Sequence, residues 1–157
     1  MFSLKPGDTV TAIGPFGDFH IKPTQKEMVY IGGGAGMAPL RSHVTHLLDT
    51  LKSPRRISFW YGARSRQELF TRIISRTWRA ATEFQLPGGV VEPLPEDGWT
   101  SHTGNIHEVV ARELLQNHPH LAGLEFYLCG PPALIRAATG MLARLGVEAG
   151  QIAYDEF

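Results

Sequence analysis

Short apolar runs alternate with amphipathic stretches along this chain, the pattern of strand–helix units folded around a parallel sheet. Met28-Val29-Tyr30-Ile31 is an unbroken apolar run that stops at glycines and predicts a buried strand. From Pro39 to Leu51 the apolar residues Leu40, Val44, Leu47, Leu48 and Leu51 recur at helical spacing and share one face. Arg56 to Tyr61, with Ile57, Phe59 and Tyr61, predicts the next strand, stopped by Gly62. Asn105 to Leu115 predicts a helix whose buried stripe is Ile106, Val109, Val110 and Leu114. Leu124 to Cys129 predicts a strand ending at Gly130-Pro131-Pro132, and Ala133 to Leu145 a last helix capped at Gly146. Gln151 to Tyr154 supplies one more edge strand. Right-handed crossovers put the helices on both faces, giving an α/β fold with a doubly wound parallel sheet of about five strands.

Two segments break the pattern. Thr71 to Val91 has no clean period, and Trp78 stands among Arg72, Arg76 and Arg79. At the start, a turn signal at Pro6-Gly7-Asp8 leads into Thr9 to Ile13, which predicts a short strand. That opening reads as the tail of a preceding domain, so the expected division is 1–22 and 23–157.

Composition narrows the function. The chain has 157 residues, 43% hydrophobic and 19% charged, which fits one domain with a real core. Its 15 basic and 15 acidic residues balance, so the basic excess of a nucleic-acid binder is missing. The single Cys129 excludes an internal disulfide and fits a reducing compartment. No apolar run has the length of a membrane span, and the start does not read as a signal peptide.

Three strand-end loops carry the candidate chemistry. Gly32-Gly33-Gly34-Ala35-Gly36 joins a strand to a helix, so bare backbone and the helix amino end can receive a pyrophosphate. The spacing is not GxGxxG, and a tight turn without a ligand is the competing reading. Gly62-Ala63-Arg64-Ser65 follows the next strand, where Arg64 contacts a phosphate or adenine and Ser65 a ribose, or Arg64 is a solvated loop residue. No carboxylate marks that strand end, so NADH and NADPH both stay open. Cys129-Gly130-Pro131-Pro132 is a rigid third loop in which Cys129 is either an inert buried thiol or a ligand-facing group. The histidines, including His43, His46, His102 and His107, lack the partners of a zinc site and suit surface or helix-packing roles.

GPFGDF from Gly14, VYIGGGAGMAPLRS from Val29, SFWYGARS from Ser58, PLPEDGWT from Pro93 and YLCGPP from Tyr127 resemble the ferredoxin-NADP-reductase superfamily. Within it they resemble the F-subunit family of sodium-translocating NADH:quinone oxidoreductases. That resemblance implies an NADH-binding domain following an FAD-binding barrel and a 2Fe-2S ferredoxin-like domain in a membrane-anchored protein. Hydride would pass from NADH to FAD, and electrons singly through the cluster to quinone, coupled to sodium transport at the cytoplasmic face of the bacterial inner membrane. Partners would be the upstream domains and the other subunits of the complex.

By the same resemblance Gly32, Gly33, Gly34, Ala35, Gly36, Met37, Ala38 and Pro39 bind the dinucleotide with Gly62 to Ser65 and Cys129 to Pro132. Cys129 lies near the nicotinamide–flavin contact, and Phe157 matches a terminal aromatic that covers the flavin. The segment from Thr71 to Val91 departs from the family. Codons for Thr71 to Arg79, read in a shifted frame, can give Tyr-Ala-Asn-Tyr-Phe-Glu-Asp-Leu-Ala, the family's string, which points to paired frame shifts. Two other functions fit the same residues: the reductase component of a soluble oxygenase, and a nucleotide-binding domain without catalysis.

Overall fold

The computed structural model describes residues 4–14, 16–65, 84–85, 88–90 and 100–157. Among them the strands are β1 (Glu27–Gly33), β2 (Ile57–Ala63), β3 (Phe84–Gln85), β4 (Gly88–Val90), β5 (His102–Thr103), β6 (Leu124–Gly130) and β7 (Ile152–Glu156). The helices are α1 (Met37–Thr45), α2 (Ile106–Val110) and α3 (Pro132–Arg144). The strands pair in the order β5-β4-β2-β1-β6-β7, with β3 also on β2, and every pairing is parallel. The doubly wound parallel sheet expected from the alternation is therefore present.

A parallel sheet needs cover on both faces, and the central strands show it: every residue of β6, and every residue of β1 after Glu27, is buried. The strand period of two then sorts side chains between two cores. Met28 and Tyr30 point toward α1 with Phe59, Tyr127, Leu40 and Val44. Val29 and Ile31 point the other way, against Phe126, Leu128, Val109 from α2 and Leu142 from α3.

Boundaries moved where tertiary contacts override local signals. α1 starts at Met37, led in by a 3-10 turn over Gly34–Gly36, and widens into a π-type turn over His46–Thr50. That widening carries Leu51 off the apolar stripe, and it is 57% exposed rather than buried. α2 continues into a similar turn over Ala111–Leu115, which buries Leu115 fully while Leu114, expected in the stripe, packs half-buried against the same core. β2 runs through Gly62 to Ala63, because β4 supplies ladder partners there that sequence cannot show. Gly146, at φ +79°, closes α3 as expected. Thr9 to Ile13 forms no strand: its residues are exposed and pair with none of the described strands, and extended backbone becomes a strand only when a partner takes its hydrogen bonds. The irregular segment from Thr71 to Val91, apart from Phe84–Gln85 and Gly88–Val90, lies outside the described residues, and so does the frame-shift reading. Among the described residues no helix is long and apolar enough to cross a membrane.

At the amino end of the sheet a polar cluster is buried. Arg55 and Glu125 form an ion pair at 2.6 Å with side chains only 5% and 3% exposed. Thr24 and Tyr127 donate hydroxyl hydrogen bonds to the same carboxylate at 2.7 and 3.0 Å, and Arg55 Nε donates to the Lys26 carbonyl at 2.7 Å. Burial alone would raise the Glu125 carboxyl, but the hydrogen bonds from Thr24, Arg55 and Tyr127, with the Arg55 charge, outweigh it and hold it below the usual range.

Glu125→Ala would leave the Arg55 charge buried and unpaired, so urea unfolding should show a loss of about 3–5 kcal/mol. The double change Arg55→Met/Glu125→Leu should recover most of it. Because the folded carboxyl titrates lower than the unfolded one, its contribution is complete above the ordinary carboxylate range. It should fade as pH falls through that range toward the depressed value, and Glu125→Gln should flatten this part of the profile.

Candidate nucleotide-binding site

Strands β2, β4 and β5 lie on one side of β1, and β6 and β7 on the other, so the order in which strands are added reverses at the β1–β6 junction while all strands run parallel. Crevices at such junctions, beyond the carboxyl ends of the strands, are where open α/β sheets bind ligands. A cleft of about 990 Å³ opens at this edge. It is lined by Gly33, Gly34 and Ala35, by Tyr61 to Arg64, by Asn105, Ile106 and His107, and by Pro131, Ala133, Leu134 and Ala137. All three strand-end loops singled out from the sequence therefore meet in one space.

Two glycines have separate physical duties. Gly34 adopts φ +55° with open space around it, so it makes the turn that lifts the backbone toward the cleft. Gly36 is buried against β6, and a Cβ there would collide with the Cys129 carbonyl and the Gly130 nitrogen. It lets the start of α1 pack backbone to backbone on the neighbouring strand. The Tyr61 hydroxyl donates to the Gly34 carbonyl at 3.0 Å and braces the turn from β2. Deeper in, Leu134 and Ile106 cover the bare faces of Gly33 and Gly62, giving an apolar floor.

The edge thus offers the positive ends of two helix dipoles, α3 and α1 with the glycine turn that leads into it and accepts the Met37 N–H, and a rim carrying Arg64, Asn105 and His107. In α3, Pro131 and Pro132 have no N–H to offer, and the Pro131 carbonyl accepts from Leu134 at 2.9 Å. Anionic phosphate on the glycine side and an apolar, flat group on the floor suit this arrangement.

Not every expected residue faces the cleft. Gly32, Gly36 and Met37 are buried beneath the turn, and Ala38, Pro39, Ser65, Gly130 and Pro132 stand beside the lining. Cys129 is 0% exposed and belongs to the core under α1. Burial, then the Asp155 charge, pushes its thiol up to about 11, so it is protonated near neutrality. Phe157 follows β7 and is 58% exposed. Its neighbour Glu156 is level with Gly130, so Phe157 sits at the same sheet edge as the cleft without lining it. The opposite wall, Asn105 to His107 with Ala133, Leu134 and Ala137, was missed in the sequence. Its signal was available: all but Ala137, one turn further along α3, lie at a helix cap or in a first helical turn that follows directly on the carboxyl edge. His107, expected in a surface or packing role, lies half-buried on the cleft wall.

The family model described as oxidoreductase NAD-binding domain matches residues 30–140. The chain is 51% identical to the F subunit of the Na(+)-translocating NADH-quinone reductase of Klebsiella pneumoniae subsp. pneumoniae, over 100% of this chain and 39% of that protein. The same identity and coverage hold for the protein of that name from Pseudomonas aeruginosa strain UCBPP-PA14. The chain thus spans 39% of the length of these curated relatives. Among solved structures, the ferredoxin reductase in carbazole 1,9a-dioxygenase is 29% identical with a TM-score of 0.76, over 92% of this chain and 42% of that one. The cytochrome b5 reductase domain of Ulva prolifera nitrate reductase has a TM-score of 0.80 at 24% identity, over 98% of this chain and 61% of that one, and shares the fold.

Gly34 and Gly36 should separate on substitution. Gly36→Ala forces α1 away from β6 and should cost about 3 kcal/mol or prevent folding, read by thermal or urea unfolding. Gly34→Ala should cost about 1 kcal/mol through its left-handed backbone alone. Cys129 should react with a thiol reagent at pH 8 far more slowly in the native chain than in urea; equal rates would contradict its burial.

Proposed function

The chain belongs to the oxidoreductase NAD-binding domain family, and from that membership we propose that it is the NADH-binding half of a flavoprotein reductase. The observation that carries this reading is the convergence of three strand-end loops on one cleft at the sheet's reversal point. The glycine turn at Gly32 to Gly36, with the start of α1 (Met37, Ala38, Pro39) beneath and beside it, holds the pyrophosphate through the backbone of Gly34 and Ala35 and the helix dipole. Arg64 and Ser65 take the adenosine phosphate and ribose end, with Ile106 and Leu134 beneath the flat base. The loop from Cys129 to Pro132 shapes the nicotinamide end. There the buried, protonated Cys129 acts by shape and through its backbone, not as a nucleophile.

FAD supplies the two-electron acceptor chemistry and is held mainly outside this chain. What these residues contribute is placement: a rigid sheet edge fixes the dinucleotide so that one face of the nicotinamide is presented outward. We assign Phe157 to cover the flavin ring; its neighbour Glu156 pairs with Gly130, at the level of the Cys129 loop, which supports this. We assign residues 1–22 to the last strand and exit segment of the flavin-binding barrel, where Thr9 to Ile13 would gain the strand partner it lacks among the described residues, and 23–157 to the dinucleotide domain. Val10, Ile13 and Phe16, 63%, 83% and 81% exposed, are apolar groups of the kind a barrel would cover.

The relatives' name supports the wider assignment. The full protein would pass hydride from NADH to FAD, then single electrons through a 2Fe-2S domain to quinone. It would couple this to sodium transport within a multi-subunit complex at the cytoplasmic face of the bacterial inner membrane.

Calorimetric titration of the chain with NADH should detect binding at or below about millimolar concentration. Leu134→Glu, which puts a carboxylate on the apolar floor, should abolish it without loss of fold. The full-length protein should carry FAD and reduce ferricyanide with NADH. Absence of NADH binding at millimolar concentration would overturn the reading.

A further inference from the structure

Residues 19–26 form a strap that crosses the α1 side of the sheet before β1 begins. Its later part is held by several polar contacts. The Lys22 backbone N–H donates to the Tyr127 hydroxyl at 3.0 Å, and Arg55 Nη1 donates to the Lys22 carbonyl at 3.3 Å. Thr24 donates to Glu125, as described. The earlier part is held differently. Phe19 stacks on the imidazole of His43, with ring centroids 4.8 Å apart and planes 25° from parallel. His43 Nε2 lies 3.3 Å from the Phe19 carbonyl and donates to it in the Nε2-protonated tautomer. The ring is boxed edge-on by Tyr30 and Tyr127, at 6.1 and 5.8 Å. Its Nδ1 is enclosed and makes no hydrogen bond among the described residues, so the Phe19 carbonyl is the ring's polar anchor there.

His43 stands on α1, the helix whose start holds the glycine turn and is seated on β6 through Gly36. Glycine turn, α1, His43 and Phe19 therefore form one continuous path of packed and hydrogen-bonded groups. We propose that His43, through its stack and hydrogen bond with Phe19, is a positioning residue for hydride transfer, fixing the strap against the cofactor helix. This rests on the reading above, in which the strap leads to the flavin-bearing domain. The angle at which the strap leaves α1 then sets how far the nicotinamide stands from the flavin. A misplacement of about 1 Å at a reacting centre can lower a rate roughly 100-fold, so a small rotation at Phe19 is enough to matter.

The test uses the full-length flavoprotein and stopped-flow measurement of flavin bleaching by NADH. His43→Leu keeps the volume and removes the donor, Phe19→Ala removes the stack, and His43→Gln retains an N–H near the Nε2 position. The expected result is a limiting bleaching rate lowered roughly tenfold or more in His43→Leu and Phe19→Ala. The NADH dissociation constant should stay within about twofold of the parent, and His43→Gln should restore most of the rate. Unchanged rates in both variants would overturn the proposal. So would a dissociation constant that rises in step with the rate loss, since the pair would then only brace the glycine turn. If NADH fails to bleach the flavin of the parent protein, the functional reading itself falls, and this proposal with it.

Discussion

The contact on which the rest of the structure depends is the backbone approach of Gly36 to the carbonyl of Cys129 and the nitrogen of Gly130. Any side chain at Gly36 would occupy space already held by β6. Because that space is free, α1 can begin immediately above the reversal point of the sheet. Its amino end and the turn at Gly34 then open on the same crevice as the loop after β6. The cleft is a consequence of this one close approach, since a helix seated farther out would leave its first N–H groups facing solvent.

The two ends of the sheet have divided their work. At the amino ends of the strands, Arg55, Glu125, Thr24 and Tyr127 satisfy one another in a buried cluster, and their role is to hold chain segments together. At the carboxyl ends the side chains thin out to glycine, alanine and proline, leaving backbone and an apolar floor. Such an edge stabilises a bound dinucleotide by geometry and fixed dipoles rather than by reacting side chains. The burial of Cys129 fits this division: its loop shapes the edge while its thiol belongs to the core.

Legibility followed the physics of each element. β1 and β6 could be read from their apolar runs, because a strand buried on both faces is apolar at nearly every position; Glu125 in β6 is the exception, and it is paired with Arg55. α1 and α2 could be read from their stripes, and the end of α3 from Gly146 and the left-handed cap it forms. Leu51 was expected in the stripe of α1 and is exposed, and Leu115 joins the core beside Leu114 in α2, because helical spacing assumes an ideal helix whereas both helices end in wider turns that rotate the last apolar residues. Thr9 to Ile13 has strand-like residues but no partner strand among the described residues, and local propensity does not supply one.

By itself the sequence determined the class of fold, the three loops and the kind of ligand, because each rests on local chemistry: apolar runs, helical period, and glycine or proline at strand ends. Tertiary structure decided which of those residues line the cleft. Only strand order brings Gly34, Arg64 and Pro131 together, adds His107 and Leu134 from positions that carry no motif, and turns Cys129 away into the core. The reason is that a strand alternates its faces every residue, while the identity of the element beyond each face is set by pairing between segments far apart in the chain.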